Sequence, residues 1–184
     1  MRIPNKYYLI VDLEATCSND GTVPRQEMEI IEIGAVIQSS LTYEIESEYQ
    51  TFIRPVRHPL LTPFCTELTS IRQDDLLNAP GFATALDDFK EWMLGFNDAL
   101  FCSWGDYDRN QFHQDCDYHE IAYPFRSGHL NLKGELTRTL KLPKKLGIDG
   151  ALRHFGMNFE GSHHRGLDDA KNIARVVRWV CLGI

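Results

Sequence analysis

Residues 7–12, YYLIVD, form an unbroken run of β-forming apolar residues that stops on a carboxylate. A strand exposed on one face alternates apolar and polar residues, so a continuous run of this kind reads as a central strand covered on both faces. Such a strand needs a neighbour on either side and helices above and below it. It also puts Asp12 at a strand end, where α/β sheets place their sites. Residues 29–38 (EIIEIGAVIQ) and 44–53 (EIESEYQTFI) mix apolar runs with alternation, and the short polar link SSLTY between them predicts an antiparallel pair.

Residues 54–65 carry three of the eight prolines and read as irregular, followed by short helical turns at ELTSI and QDDLL. An amphipathic helix is predicted over 82–96, with Phe82, Leu86, Phe89 and Met93 on its buried face. ALFCSW (99–104) predicts a second buried strand, and GDYDRNQFHQDC after it has the polar start of a helix. Further helices are expected over about 131–140, 148–155 and 167–181, the last burying Ile173, Val176, Val177 and Val180. Three strands, a helix, a fourth strand and then further helices predict a mixed sheet with helices on its faces.

No repeat, low-complexity tract or Gly/Ser linker divides the 184 residues, so one domain spanning 1–184 is expected. A hydrophobic content of 43% against 24% charged residues excludes a disordered chain. Apolar stretches fall far short of the ~18 residues that span a bilayer, and the start of the chain lacks the apolar centre of a signal peptide. The expectation is no membrane association and a cytoplasmic location. Five cysteines, an odd number with no C-x-x-C pair, predict reduced thiols, with neither disulfides nor a zinc knuckle. The net charge of −7 is at odds with a nucleic-acid partner, which usually meets a basic surface.

Three acidic clusters stand at predicted strand ends or at a helix start: Asp12-Leu13-Glu14, Asp106-Tyr107-Asp108 and Asp168-Asp169. Residues two apart on a strand point to one side, so Asp12 and Glu14 share a site. Like charges ~4 Å apart cost about 4 kcal/mol even at an effective dielectric of 20, and hard divalent cations relieve that repulsion. Oxygen-only ligation selects Mg²⁺ or Mn²⁺ over zinc. Two such ions ~3.5–4 Å apart activate a water and stabilise the leaving oxygen of a phosphodiester.

His164, five residues before Asp169, is suited to removing a proton from that water, with His163 as the neighbouring alternative. Singly, an acidic pair is most simply solvated surface and a histidine before a helix is a loop residue. Their occurrence together and in order carries the reading. Lys141, Lys144, Lys145 and Arg138 form a basic cluster that suits either a phosphate backbone or a solvated helix end. Glu29 and Glu32 either support the site from the neighbouring strand or are surface acids. His113, His119, His154 and Trp104 read as structural.

The order D-x-E (Asp12, Glu14), a later Asp after a strand (Asp108) and H-x4-D (His164, Asp169) resembles the DEDDh family of 3′–5′ exonucleases. DLEATC, EIIEIGAV, FIRPV, FCTELTSI and HRGLDDAKNIARV are similar to its Eri-type subgroup, which includes the histone-mRNA 3′ exonuclease. The resemblance implies an α/β, ribonuclease H-like fold with a central mixed five-stranded sheet flanked by helices. It implies two divalent cations, Mg²⁺ with Mn²⁺ as the alternative. Asp12 would bridge both ions, Glu14 and Asp169 would hold the ion associated with the attacking water, and Asp108 would serve the other.

An aromatic residue immediately before the acid favours Asp108 over Asp106, although the sequence offers both. His164 would be the general base in a hydrolysis that releases nucleoside 5′-monophosphates. Ala15 and Thr16 would contact the terminal nucleotide through backbone groups or the Thr16 hydroxyl, and Tyr107 would stack on a base or simply pack. The implied partner is the 3′ end of single-stranded nucleic acid, RNA favoured and DNA possible, with no protein partner identified. Two rivals are an oligoribonuclease-like enzyme confined to very short substrates and a binding module without catalysis. Four acids in the site and two bound cations would bring the nominal charge from −7 to roughly −3 and predict a short footprint.

Overall fold

The computed structural model describes residues 5–126 and 128–182. Residues 1–4, 127, 183 and 184, which the single-domain reading also takes in, lie outside the described residues. β1 (Tyr7–Ala15) is the middle strand of a sheet ordered β3-β2-β1-β4-β5. It pairs antiparallel with β2 (Ile30–Ser39) and parallel with β4 (Ala99–Ser103). β3 (Ile45–Phe52) pairs antiparallel with β2, and β5 (His129–Asn131) parallel with β4, so the sheet is mixed and five-stranded.

The apolar run of β1 divides by the two-residue period of a strand. Tyr8 and Ile10 face α7 (Gly166–Leu182), where they pack with Ile173, Val176 and Val177. Leu9, Val11 and Leu13 face the opposite layer, where Phe82, Leu86 and Phe89 of α3 (Phe82–Met93) meet Phe112 of α4 (Tyr107–Tyr118). Asp12 and Glu14 continue the α7 side of the strand. All five cysteines are present as thiols. Among the described residues no helix is long and apolar enough to cross a membrane.

Differences from the sequence expectations lie at element ends. β1 runs to Ala15, so the D-x-E pair sits within the strand. The proline-rich segment gives way early to α1 (Pro63–Thr69), because Thr62 accepts a hydrogen bond from the Cys65 N–H and Pro63 occupies the first turn. α2 follows at Gln73–Leu77. The helix predicted over 82–96 ends at Met93 and continues only as a 3₁₀ turn, Leu94–Phe96. The helix expected from about 131 is preceded by β5, and Asn131 ends that strand while its side chain caps α5 (Leu132–Thr139) by accepting from the Gly134 N–H at 2.8 Å. α6 is Ile148–His154.

The start of α7 lies directly on the sheet. A Cβ placed on Gly34 of β2 would fall 1.9 Å from the carbonyl carbon of Gly166, and one on Gly166 would fall 2.9 Å from the Asp12 carbonyl oxygen. Two facing residues without side chains therefore let the helix meet the backbones of β1 and β2. Glu32, fully buried, holds the same junction: it accepts from the Gly166 N–H at 3.1 Å and pairs with Arg165 at 3.3 Å. Gly34→Ala forces helix and strand apart and should cost about 3 kcal/mol or more. Thermal unfolding by calorimetry should show Tm lowered by roughly 6–12 °C, and an unchanged Tm would contradict the contact.

Candidate active site

Asp12 and Glu14 from β1 and Asp169 from the first turn of α7 present carboxylate oxygens that all lie within 4.8 Å of one another. Glu14 and Asp169 are buried and Asp12 partly so. Asp108, in the first turn of α4 and 4% exposed, lines the same pocket. The β1–β4 ladder is registered only as far as Ile10↔Cys102, and beyond it the Leu13 N–H donates to the Asp108 carboxylate at 3.1 Å. This is the place where neighbouring strands diverge and α/β sheets open a crevice.

The structure separates the two candidates in the second cluster. Asp106 turns to the sheet edge, accepting from Asn131 Nδ2 at 2.8 Å and pairing with Arg109 at 3.3 Å, while Asp108 faces the pocket. The two adjacent histidines also part. His163 stacks on Phe159 at 3.7 Å and stands 3.8 Å from Asp169, whereas His164 lines the pocket with a left-handed backbone, φ 59°. That conformation is costly for a residue with a Cβ, and it turns the chain from the loop into α7.

Ala15 lines the pocket, as do Tyr107 and Trp104. Thr16 is tied into the sheet. At 2% exposure its N–H donates to the Glu29 carbonyl at 2.8 Å and its hydroxyl oxygen accepts from the Glu29 N–H at 2.9 Å, so it ties the end of β1 to the start of β2. Glu29 binds the backbone N–H groups of Val56, Arg57 and His58, each at 2.8 Å, and so anchors the proline-rich segment. Glu32 supports the site from behind, as the register partner of Glu14 and the anchor of Arg165 and Gly166. His113 and His119 stack on Tyr123 and Phe82. Met28 and Leu68 also line the pocket, and neither residue type carries a chemical signature in sequence.

Burial, followed by repulsion from Asp108, Asp169 and Glu14, pushes the Asp12 carboxyl well above its ordinary range. Burial with Asp169 and Glu32 nearby raises Glu14 to about 9. Asp108 rises less, to about 6, because the Leu13 N–H, the Ser103 hydroxyl and Lys133 oppose the effect of burial. Burial also raises Asp169. Four carboxyls that resist joint ionisation, with oxygen the only donor, fit a hard divalent cation.

Comparison with known proteins gives the family and the fold. Residues 9–177 match the family model described as Exonuclease, RNase_T. ERI1 exoribonuclease 2 of Xenopus laevis is 34% identical over 97% of this chain, which spans only 29% of that relative. Human 3′-5′ exoribonuclease 1 is 35% identical over 92% of this chain and 51% of its own length. Among solved structures, the nuclease domain of 3′hExo, titled a DEDDh family member bound to rAMP, superposes with a TM-score of 0.90 at 31% identity, covering 98% of this chain and 94% of that one.

The clustered acids make a prediction for the cation-free protein. Their folded-state pKa values lie above the unfolded ones, so the native state binds more protons and stability falls as pH rises. For Glu14 the window runs from its ordinary 4.5 to about 9. With EDTA present, Tm should fall across that window, and Glu14→Gln should raise Tm at pH ~8 and flatten the slope. Identical EDTA melting curves for the two proteins would contradict the repulsion.

Proposed function

Because the chain belongs to the RNase_T exonuclease family, we propose that it is a metal-dependent 3′–5′ exonuclease that hydrolyses the terminal phosphodiester of single-stranded nucleic acid. RNA is the favoured substrate, since relatives over nearly the whole chain are named exoribonucleases. The observation that carries this reading is the convergence of Asp12, Glu14 and Asp169 within 4.8 Å, with Asp108 and His164 on the same pocket.

Two divalent cations, Mg²⁺ or Mn²⁺, held by these four carboxylates would activate the attacking water and stabilise the leaving oxygen. Asp12 would serve both ions, Glu14 and Asp169 one, and Asp108 the other. This division agrees with Asp12, Glu14 and Asp169 forming one tight group. His164 accepts the proton of the attacking water, and its exposed position lets that proton pass on to solvent. The water oxygen bonds to phosphorus as the bond to the 3′-oxygen of the preceding nucleotide breaks. That oxygen takes up a proton, and the products are a nucleoside 5′-monophosphate and a chain one unit shorter with a free 3′-hydroxyl.

Ala15, at the end of β1, meets the terminal nucleotide through its backbone, and the Tyr107 ring offers a stacking face. Thr16 contributes by holding that strand end in place. The test is a 5′-labelled single-stranded RNA with Mg²⁺. The wild type should produce a ladder that shortens from the 3′ end together with nucleoside 5′-monophosphates. Asp12→Ala should reduce this to background, and His164→Ala should reduce kcat by roughly 10²–10⁴-fold. Full activity in Asp12→Ala, or internal cleavage products, would overturn the reading.

A further inference from the structure

The lining of the candidate site supplies carboxylates and one histidine, whereas a single strand brings a negative charge at every internucleotide link. Cations for the links beyond the reacting one must come from the rim. One side of that rim is the 3₁₀ turn Arg25–Glu27 with Met28, and it is fastened to α4. Gln111 and Gln114 of α4 both donate to the Met28 carbonyl, at 2.9 and 2.6 Å, and Met28 lines the pocket.

Gln111 is fully buried, and its amide nitrogen also donates to Asp115 at 2.6 Å. Its oxygen is thereby presented to Arg25, whose Nη1 donates to it at 2.6 Å. The Arg25 guanidinium lies 4.7 Å from the centre of the Tyr107 ring, and Tyr107 lines the pocket and immediately precedes Asp108. Arg57, Arg109 and Arg165 have their charge matched by Glu29, Asp106 and Glu32. The contacts of Arg25 among the described residues all go to neutral groups, namely Gln111, Gln114 and Tyr107. An exposed guanidinium held in place yet left with its full charge is suited to a phosphate, which its planar fork engages through two N–H groups.

We propose that Arg25 binds the phosphate immediately upstream of the scissile one and, with the Tyr107 ring, forms a subsite for the penultimate nucleotide. The subsite rests on the exonuclease reading and deepens it. It makes affinity depend on substrate length at the first step beyond a dinucleotide. Arg25 touches no metal ligand, so its removal leaves the carboxylate cluster unaltered.

The test compares wild type and Arg25→Ala with Mg²⁺ on two substrates. One is a dinucleoside monophosphate, whose only phosphate is the scissile one, and the other is a trinucleoside diphosphate. Arg25→Ala should raise KM for the trinucleotide roughly tenfold, the equivalent of one charge-assisted contact, with kcat and the dinucleotide KM unchanged. A neutral methylphosphonate at the upstream link should raise the wild-type KM by the same factor and leave the variant indifferent. Equal changes on both substrates would show Arg25 acting only through Tyr107, and no change on either would show it idle; both overturn the subsite. A wild type that also fails to shorten the longer 5′-labelled RNA would overturn the exonuclease reading itself, and the subsite with it.

Discussion

The close approach of Gly34 and Gly166 is the contact on which the site depends. Two of the three clustered carboxylates come from β1 and the third from a helix that begins some 150 residues later. Ordinary side chains between strand and helix would hold α7 off the sheet at the usual packing distance. With no Cβ on either residue, the first turn of α7 rests against the backbones of β1 and β2, and Asp169 comes within reach of Asp12 and Glu14. Glu32 and Arg165 hold the junction by charge where the glycines provide the space. Burial of Glu32 without those partners would be costly, which makes the ion pair part of the same arrangement.

That packing creates an electrostatic strain that a bound cation would relieve. The acids repel one another in a partly buried setting, and nearby donors ease Asp108 and Asp169. The acidic balance of the chain acquires a local meaning here. Much of the surplus lies in four carboxylates whose charge two bound divalent cations would offset, and a phosphate would then meet those cations where the proposed reaction breaks a bond. Arg25 and Tyr107 extend the same logic outward, with a neutral hydrogen-bonding scaffold that leaves the guanidinium charge available.

Much of this was legible from the residues themselves. The YYLIVD run marked the central strand, and the acids at its end, with His164 and Asp169 far downstream, are the residues that gather at one pocket. β5 was not legible, because three residues carry no periodicity and Asn131 signals a helix cap as strongly as a strand end. Which of Asp106 and Asp108 faces the pocket depends on how a helix start is turned, and Asn131 and Arg109 hold Asp106 at the sheet edge. The tie between Thr16 and Glu29, in which the Thr16 hydroxyl accepts from the Glu29 N–H, was not legible because it joins residues 13 positions apart. Arg25 gave no signal because its placement comes from two glutamines 86 and 89 positions away.

The central claim is that α7 delivers to β1 the carboxylate that completes a cation site. Mn²⁺ binding without substrate, followed by electron paramagnetic resonance on wild type and Asp169→Asn, tests it most directly. Removing a ligand from a site shared by strand and helix should weaken Mn²⁺ binding at least about tenfold at neutral pH with the fold retained. Equal affinity in the two proteins would show that the helix contributes nothing to the cation and would contradict the account.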